Sequence, residues 1–254
     1  MALPPARNHP DVPLISIIVV CRNPGEQLRT TIASVRAQRD ADCELVIVDG
    51  GSTDGTRAWL EAEHPAIGTL ITEPDHGIYD AMNKGIAAAR GDWVLFLGAD
   101  DQLAASDTLA QAAQQLVKHS DGVLAGTARF DDGRIYSPSP TTAVRRNFVH
   151  HQGTFYRRTL FQRHGRFDLS LRIQADYDFN LRLLRAGVAF TPLPLLISDC
   201  ASGGVSDAGH WANYREEITV RHRHFPAWRC WPWDAAAVAR WLRKQLLRPS
   251  RSHG

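Results

Sequence analysis

Five consecutive apolar residues, Trp93 to Leu97, run almost directly into two adjacent carboxylates, Asp100 and Asp101, and no other stretch of the chain restricts its fold so strongly. An apolar run this short with no polar break reads as a strand covered on both faces, the situation of a parallel sheet packed between helices. Two neighbouring negative charges repel. At the tip of a buried strand they suit a hard divalent cation, which takes oxygen ligands and offers its remaining positions to phosphate oxygens. They can equally serve as the acidic start of a helix near Ala104.

The preceding chain repeats one unit. Leu14 to Cys21 (LISIIVVC) is a first buried strand, Asn23-Pro24-Gly25 a turn, and Leu28, Ile32 and Val35 define one apolar helical face. Leu45 to Val48 is a second strand, Asp49 to Gly55 a Gly-rich turn, and Thr56 to Ala62 a helix that Ser52 or Asp54 can cap. Thr69 to Thr72 is a third strand, and Ile78, Met82 and Ile86 at i, i+4, i+8 predict a third helix closed by Gly91. Strands alternating with helices require right-handed crossovers and a parallel sheet, whose ligands bind at the carboxyl ends of the strands. Asp49, Asp75, Asp100 and Asp101 all fall at those ends, which argues for one shared site.

The second half is organised differently. A helix carries Leu109, Ala113, Leu116 and Val117, a strand covers Gly122 to Thr127, and a hairpin turns at Asp132-Gly133. A further helix spans Tyr177 to Arg185. Pro192 and Pro194 restrict any strand in Val188 to Ile197 to an edge or an irregular course. Gly203 to Ser206 is a loop, and a helix from about Trp211 to His224 leads into a basic, Trp-rich tail.

A hydrophobic content of 44% in 254 residues supplies a full core for one domain. The net charge of +2 gives no broad basic surface for nucleic acid. Cys21, Cys43, Cys200 and Cys230 are too scattered for a zinc site or a disulfide scaffold and read as reduced thiols. No signal-like or membrane-spanning apolar run occurs, so the expected location is cytoplasmic, possibly at the cytoplasmic face of the inner membrane.

The turn DGGSTDG lacks the Gly-Lys-Ser/Thr ending of a triphosphate-binding loop. Asp49 there can accept a hydrogen bond from a base N–H or a ribose hydroxyl, or close an ordinary Asx turn. Taken together, the opening strand with CRN, VDGGSTDGT, EPDHGIYDAMNKG and GDWVLFLGADD resemble the nucleotide-binding half of inverting family 2 glycosyltransferases with the GT-A fold. The resemblance is close over Leu14 to Asp101 and extends through HHQGTFYRR, QADYDFNLRL and GGVS to about Ser206. It implies a mostly parallel α/β sheet, a nucleoside-diphosphate sugar donor, a divalent metal (Mn²⁺ or Mg²⁺) and inversion at the anomeric carbon. By position, Asp49 would contact the base, Asp100 the ribose and the metal, and Asp101 the metal; Asp75, Lys84, Gly203, Gly204 and Ser206 would help hold the donor. Lys84 also fits a solvated helix face, and the glycines a plain linker. Many relatives carry an aspartate where this chain has Gly98.

Direct displacement needs a base for the acceptor hydroxyl. Asp176 corresponds to the family's aspartate, with Ala175 replacing the glutamate before it; the alternative for Asp176 and Asp178 is helix N-terminal charge. His150 and His151, neighbours in an extended segment, should point opposite ways, leaving His151 and Gln152 for the acceptor pocket. The processive Gln-x-x-Arg-Trp motif is absent, so single additions to a saccharide or lipid-linked saccharide are expected. By role the chain divides into a leader (1–13), a donor half (14–101), an acceptor and catalytic half (102–206) and a C-terminal extension (207–254). In that extension Trp228, Trp231, Trp233, Trp241 and Leu242 interleave with Arg240, Arg243, Lys244, Arg248 and Arg251, which suits either a membrane interface or a helix packed on the body. Two competitors share parts of this pattern. A sugar nucleotidyltransferase would need a basic Gly-rich loop where CRNPGEQ stands, and a non-catalytic nucleotide-sugar-binding module would show no turnover.

Overall fold

Alternating apolar side chains on β1 (Ile15–Cys21), β2 (Cys43–Asp49) and β4 (Trp93–Gly98) create two cores rather than one. Ile18, Val20, Val46, Val48, Val94 and Phe96 face one side of the sheet; Ile17, Val19, Leu45, Ile47, Leu95 and Leu97 face the other. Each side is covered by helices, as continuous apolar strands require. The protein is described here by a computed structural model covering residues 13–203 and 210–246, without the side chains of residues 64–67.

The first half follows the strand–helix alternation: β1, α1 (Gln27–Arg36), β2, α2 (Thr56–Ile67), β3 (Thr69–Thr72), α3 (Ile78–Ala88) and β4. The apolar face of α3 is the one the spacing suggested at Met82 and Ile86, but not at Ile78. Ile78 is exposed, while Tyr79, Ala81, Met82, Gly85 and Ile86 are buried. The helix ends at Ala88, and Gly91 lies beyond it where a Cβ would sit 2.5 Å from the backbone nitrogen of Ser16.

No helix begins near Ala104. Instead β5 (Gln102–Leu103) comes first and α4 (Thr108–Leu116) starts later, so Asp100 and Asp101 do not cap a helix there. The chain continues through β6 (Val123–Phe130), β7 (Ile135–Tyr136), β8 (Thr154–Arg157), α5 (Thr159–Arg163), α6 (Ala175–Arg185), β9 (Phe190–Cys200), α7 (Trp211–His224) and α8 (Ala227–Leu246). Among the described residues all strands join one sheet in the order β3-β2-β1-β4-β8-β6-β9-β5, with β7 paired to β6. It is parallel from β3 to β4 and mixed beyond, because β8 runs antiparallel to both β4 and β6. The proline-bearing β9 pairs parallel to β6 with two register shifts, the irregular course its prolines demand.

The tail both packs and projects. Arg221 of α7 is fully buried and pairs with Glu217 and Asp234, the latter on α8. Trp241 tilts against Trp211 at 5.1 Å, and Arg145 lies over Trp233 at 5.5 Å, whereas Trp228 and Trp231 are 70% and 65% exposed. Arg248 and Arg251 lie outside the described residues. Among the described residues no helix is long and apolar enough to cross a membrane.

Candidate active site

Register brings the strand ends together: Cys21 pairs with Asp49, Asp49 with Thr72, and Val20 with Gly98, so the chain leaves β1, β2, β3 and β4 along one edge. The loops there hold one another. Asn23, in the left-handed region at φ 51°, donates its backbone N–H to Ser52 Oγ (2.7 Å) and accepts from the Thr53 N–H (2.7 Å). Asp54 accepts from the Gly25 N–H at 3.0 Å and from the Thr56 N–H at 3.1 Å, so it and not Ser52 meets the start of α2. Ser52 turns to Asp49, donating its hydroxyl and, at 3.2 and 3.1 Å, its N–H to the buried carboxylate. Asp75 sits across from it: a Cβ on Gly50 would fall 1.8 Å from Asp75 Oδ2, so only glycine admits that carboxylate. Lys84 braces the same loop, reaching the Pro74 carbonyl at 2.8 Å and Glu73 at 2.9 Å. Gly203 is described; Gly204 and Ser206 lie outside the described residues.

Asp101 is 1% exposed. Its Oδ2 accepts from the Gly98 N–H at 2.6 Å and from Gln152 Nε2 at 2.7 Å, while its Oδ1 and the Oε1 of Gln152 are buried without a hydrogen-bond partner. Burial, and then the charge of Asp101, raise the Asp100 carboxyl. A repelling pair of carboxylates flanked by two unpartnered buried oxygens is a donor set that fits a hard cation. The aspartates lean over Gly98, where a Cβ would come within 2.8 Å of Asp101 Oδ2 and 3.0 Å of Asp100 Oδ1, so they fill the space an aspartate at 98 would need. Among the described residues no group of three or more His, Cys, Asp or Glu side chains is placed to hold a metal without other ligands.

Asp176, in the first turn of α6, is also buried. Tyr79 Oη lies 2.9 Å from its Oδ1 and 2.7 Å from the Ile173 carbonyl; Asn147 donates to its Oδ2 at 2.9 Å, and His151 Nδ1 lies 3.3 Å from the same oxygen. Burial alone would raise this carboxyl. The hydrogen bond and charge of His151 and the hydroxyl of Tyr79 outweigh it and hold the group below the usual carboxylate range. Asp178 faces elsewhere, accepting from Arg182 Nε at 3.0 Å and lying 2.9 Å from His224 Nε2, so the two aspartates do separate work as their spacing requires.

The histidines correct one expectation. Residues His151–Gly153 form a short 3-10 turn, so the rings of His150 and His151 do not point opposite ways; they stack 5.1 Å apart at 19°. His150 is wedged against Phe130 and Tyr136, and His151 meets Asp176. Gln152, expected beside the acceptor, reaches Asp101. Adjacent residues thus touch the two carboxylates that the sequence assigned to metal and base. Two of their partners were missed. Tyr79 carried a signal in its motif and its place on the first turn of α3; Asn147, a lone amide in a basic and apolar stretch, carried none.

A sheet with acidic residues collected at the ends of its parallel half, continued by antiparallel strands that bring up a second acidic centre, is the GT-A architecture of enzymes that use nucleotide sugars. The family model described as "Glycosyl transferase family 2" matches residues 16–174, and the chain belongs to that family. It is 38% identical over 179 residues to a "PGL/p-HBAD biosynthesis glycosyltransferase" of Mycobacterium bovis, covering 67% of this chain and 69% of that one. Its fold is that of residues 1–349 of S. aureus TarS in complex with UDP-GlcNAc (TM-score 0.65, 19% identity, 92% of this chain and 72% of that one). A mannosyltransferase of Pyrobaculum calidifontis in complex with GDP-Man and Mn²⁺ is similar too (TM-score 0.61, 22% identity, 92% and 76%). The chain is a glycosyltransferase.

Proposed function

We propose that the enzyme moves one sugar at a time from a nucleoside-diphosphate sugar to an acceptor hydroxyl, with a divalent metal and with inversion. The observation that supports this reading is that the adjacent residues His151 and Gln152 contact Asp176 and Asp101, so the proposed base and metal ligand lie one dipeptide apart. Asp49 and Asp75 would flank the nucleoside, with Lys84 steadying their loop; Gly203, Gly204 and Ser206 are assigned to donor binding from the sequence. Asp100 and Asp101, joined by the amide oxygen of Gln152, would hold Mn²⁺ or Mg²⁺, which when bound neutralises charge on a departing diphosphate. The solved relatives bound to UDP-GlcNAc and to GDP-Man with Mn²⁺ support both ligands.

In the reaction, the acceptor oxygen forms a bond to the anomeric carbon from the face opposite the diphosphate. The bond from that carbon to the phosphate oxygen breaks, its electron pair leaves with the nucleoside diphosphate, and the hydroxyl proton passes to a carboxylate oxygen of Asp176. Tyr79, Asn147 and His151 keep that carboxylate ionised and fix its direction. By role, residues 14–101 would bind the donor and 102–206 would supply the base and the acceptor side, with 207–254 a C-terminal extension. The name of the mycobacterial relative favours a place in cell-surface glycan or lipid-linked oligosaccharide synthesis. Exposed Trp228 and Trp231 favour peripheral contact with the cytoplasmic side of a membrane.

Asp176→Asn tests the assignment. It keeps the shape of the side chain but cannot take the proton, so transfer should fall by about a hundredfold to ten-thousandfold while donor affinity stays within about twofold. Retained turnover would remove Asp176 as the base.

A further inference from the structure

A cavity of about 510 Å³, within the range of small-molecule sites, is lined by residues of α7 and α8 and by Asn147, a hydrogen-bond partner of Asp176. One wall is built of amides: Asn147, which donates to Asp176 Oδ2 at 2.9 Å, and Gln174, which donates to Asn213. Amides and the nearby Tyr214 are the groups that meet sugar hydroxyls and sugar faces. The rest of the lining is largely cationic. Arg146, Arg240, Arg243 and Lys244 line the cavity against a single carboxylate, Glu217, whose charge is already met by Arg221 at 2.5 Å and Arg240 at 2.7 Å. Among the described residues neither Arg146 nor Arg243 has a carboxylate partner, and both are exposed.

This concentration is not a property of the whole surface, since the chain carries 29 basic against 27 acidic residues. Nor does the donor account for it. The proposed donor end is acidic, and the diphosphate expected there would be met by a metal at Asp100 and Asp101. The cations line the cavity together with Asn147, which hydrogen-bonds the proposed base, and neither Asp100 nor Asp101 lines it, so the anion they would neutralise is assigned to the acceptor. Of these cations, Arg240, Arg243 and Lys244 lie on α8, beyond residue 174 where the family match ends, whereas Arg146 lies within it.

Resting on the transfer reading above, we infer that the cavity is an acceptor subsite for a saccharide bearing a phosphate group, with the amide wall presenting the sugar to Asp176 and Arg146, Arg243 and Lys244 gripping the phosphate. That phosphate can sit on a free saccharide or join the saccharide to a lipid. The shared chemistry is a sugar phosphate ester.

The test is calorimetric titration of the full chain, in EDTA and without donor, with the 1-phosphates of glucose, galactose and mannose and with the matching methyl glycosides. At least one sugar phosphate should bind roughly tenfold or more tightly than its methyl glycoside, and Arg243→Glu with Lys244→Glu should bring that ratio to about one. Arg146→Glu, on a different element, should do the same, and melting curves of both variants should match the parent. A ratio near one in the parent, or an unchanged ratio in both variants, overturns the inference. Sedimentation with phosphatidylglycerol vesicles, against phosphatidylcholine, separates the sources. Loss of vesicle binding in the variants together with a parent ratio near one would assign these cations to a lipid surface and overturn the sugar phosphate subsite. Because binding is read without donor or metal, its failure is distinct from loss of transfer in Asp176→Asn.

Discussion

At the scale of single residues, the site depends on how a buried carboxylate is kept charged. The pull of burial on Asp176 is upward, and His151 supplies the largest opposing influence. Replacing His151 by Gln therefore frees the carboxyl to titrate at a higher pH. Since Asp176, as the proposed base, would have to be ionised to accept a proton, the acid limb of the kcat/KM profile should move to higher pH in His151→Gln, with activity recovered on the alkaline side. An unmoved limb would mean that His151 does not set this group. The acidic residues were legible in the sequence because four carboxylates at strand ends have no ordinary structural use as a set. Their partners were not. Asn147 and Tyr79 reach Asp176 from positions 29 and 97 residues away, and no local pattern encodes such contacts.

At the scale of elements, the parallel half could be read almost residue by residue, because strands buried on both faces leave continuous apolar runs. The short antiparallel pieces could not. β5 exists through its pairing with β9, Gln102 with Asp199 and Leu103 with Ser198, and that long-range ladder displaces the helix expected near Ala104. Met82 and Ile86 of α3 are buried as their spacing predicts, but Ile78 is not, for a related reason: the first turn is held by Tyr79, which hydrogen-bonds Asp176, and Ile78 faces outward. The same helix shows how tightly the site's floor is packed. A Cβ on Gly85 would lie 2.4 Å from Cγ2 of Ile18, a fully buried residue of β1. Gly85→Ala should gain about 1 kcal/mol in helix propensity on an open surface, but here overpacking should reverse the sign and cost about 1–3 kcal/mol, read by urea denaturation. A stabilised variant would show that α3 can move off the sheet.

At the scale of the whole molecule, donor and metal should behave as one ligand. A specific nucleotide sugar at a hundred times its Kd stabilises the native state by about 2.7 kcal/mol, enough for a melting shift of roughly 5 °C or more in a chain of this size. Of the UDP-, GDP- and dTDP-sugars, one class should give that shift with Mn²⁺ and lose most of it in EDTA; no shift with any of them would count against the donor assignment. The sequence had no means of announcing that two of the site's carboxylates, 75 positions apart, would be spanned by a single dipeptide. That geometry makes residues 151 and 152 intolerant of any change in length. One alanine inserted between them would withdraw His151 from one oxygen or Gln152 from the other and should abolish transfer, whereas an alanine added at the exposed Ser120–Asp121 turn, where β6 begins at the sheet edge opposite Gly98, should leave turnover nearly intact. Spacing there is as fixed as identity, and indels, more than substitutions, would reveal the constraint.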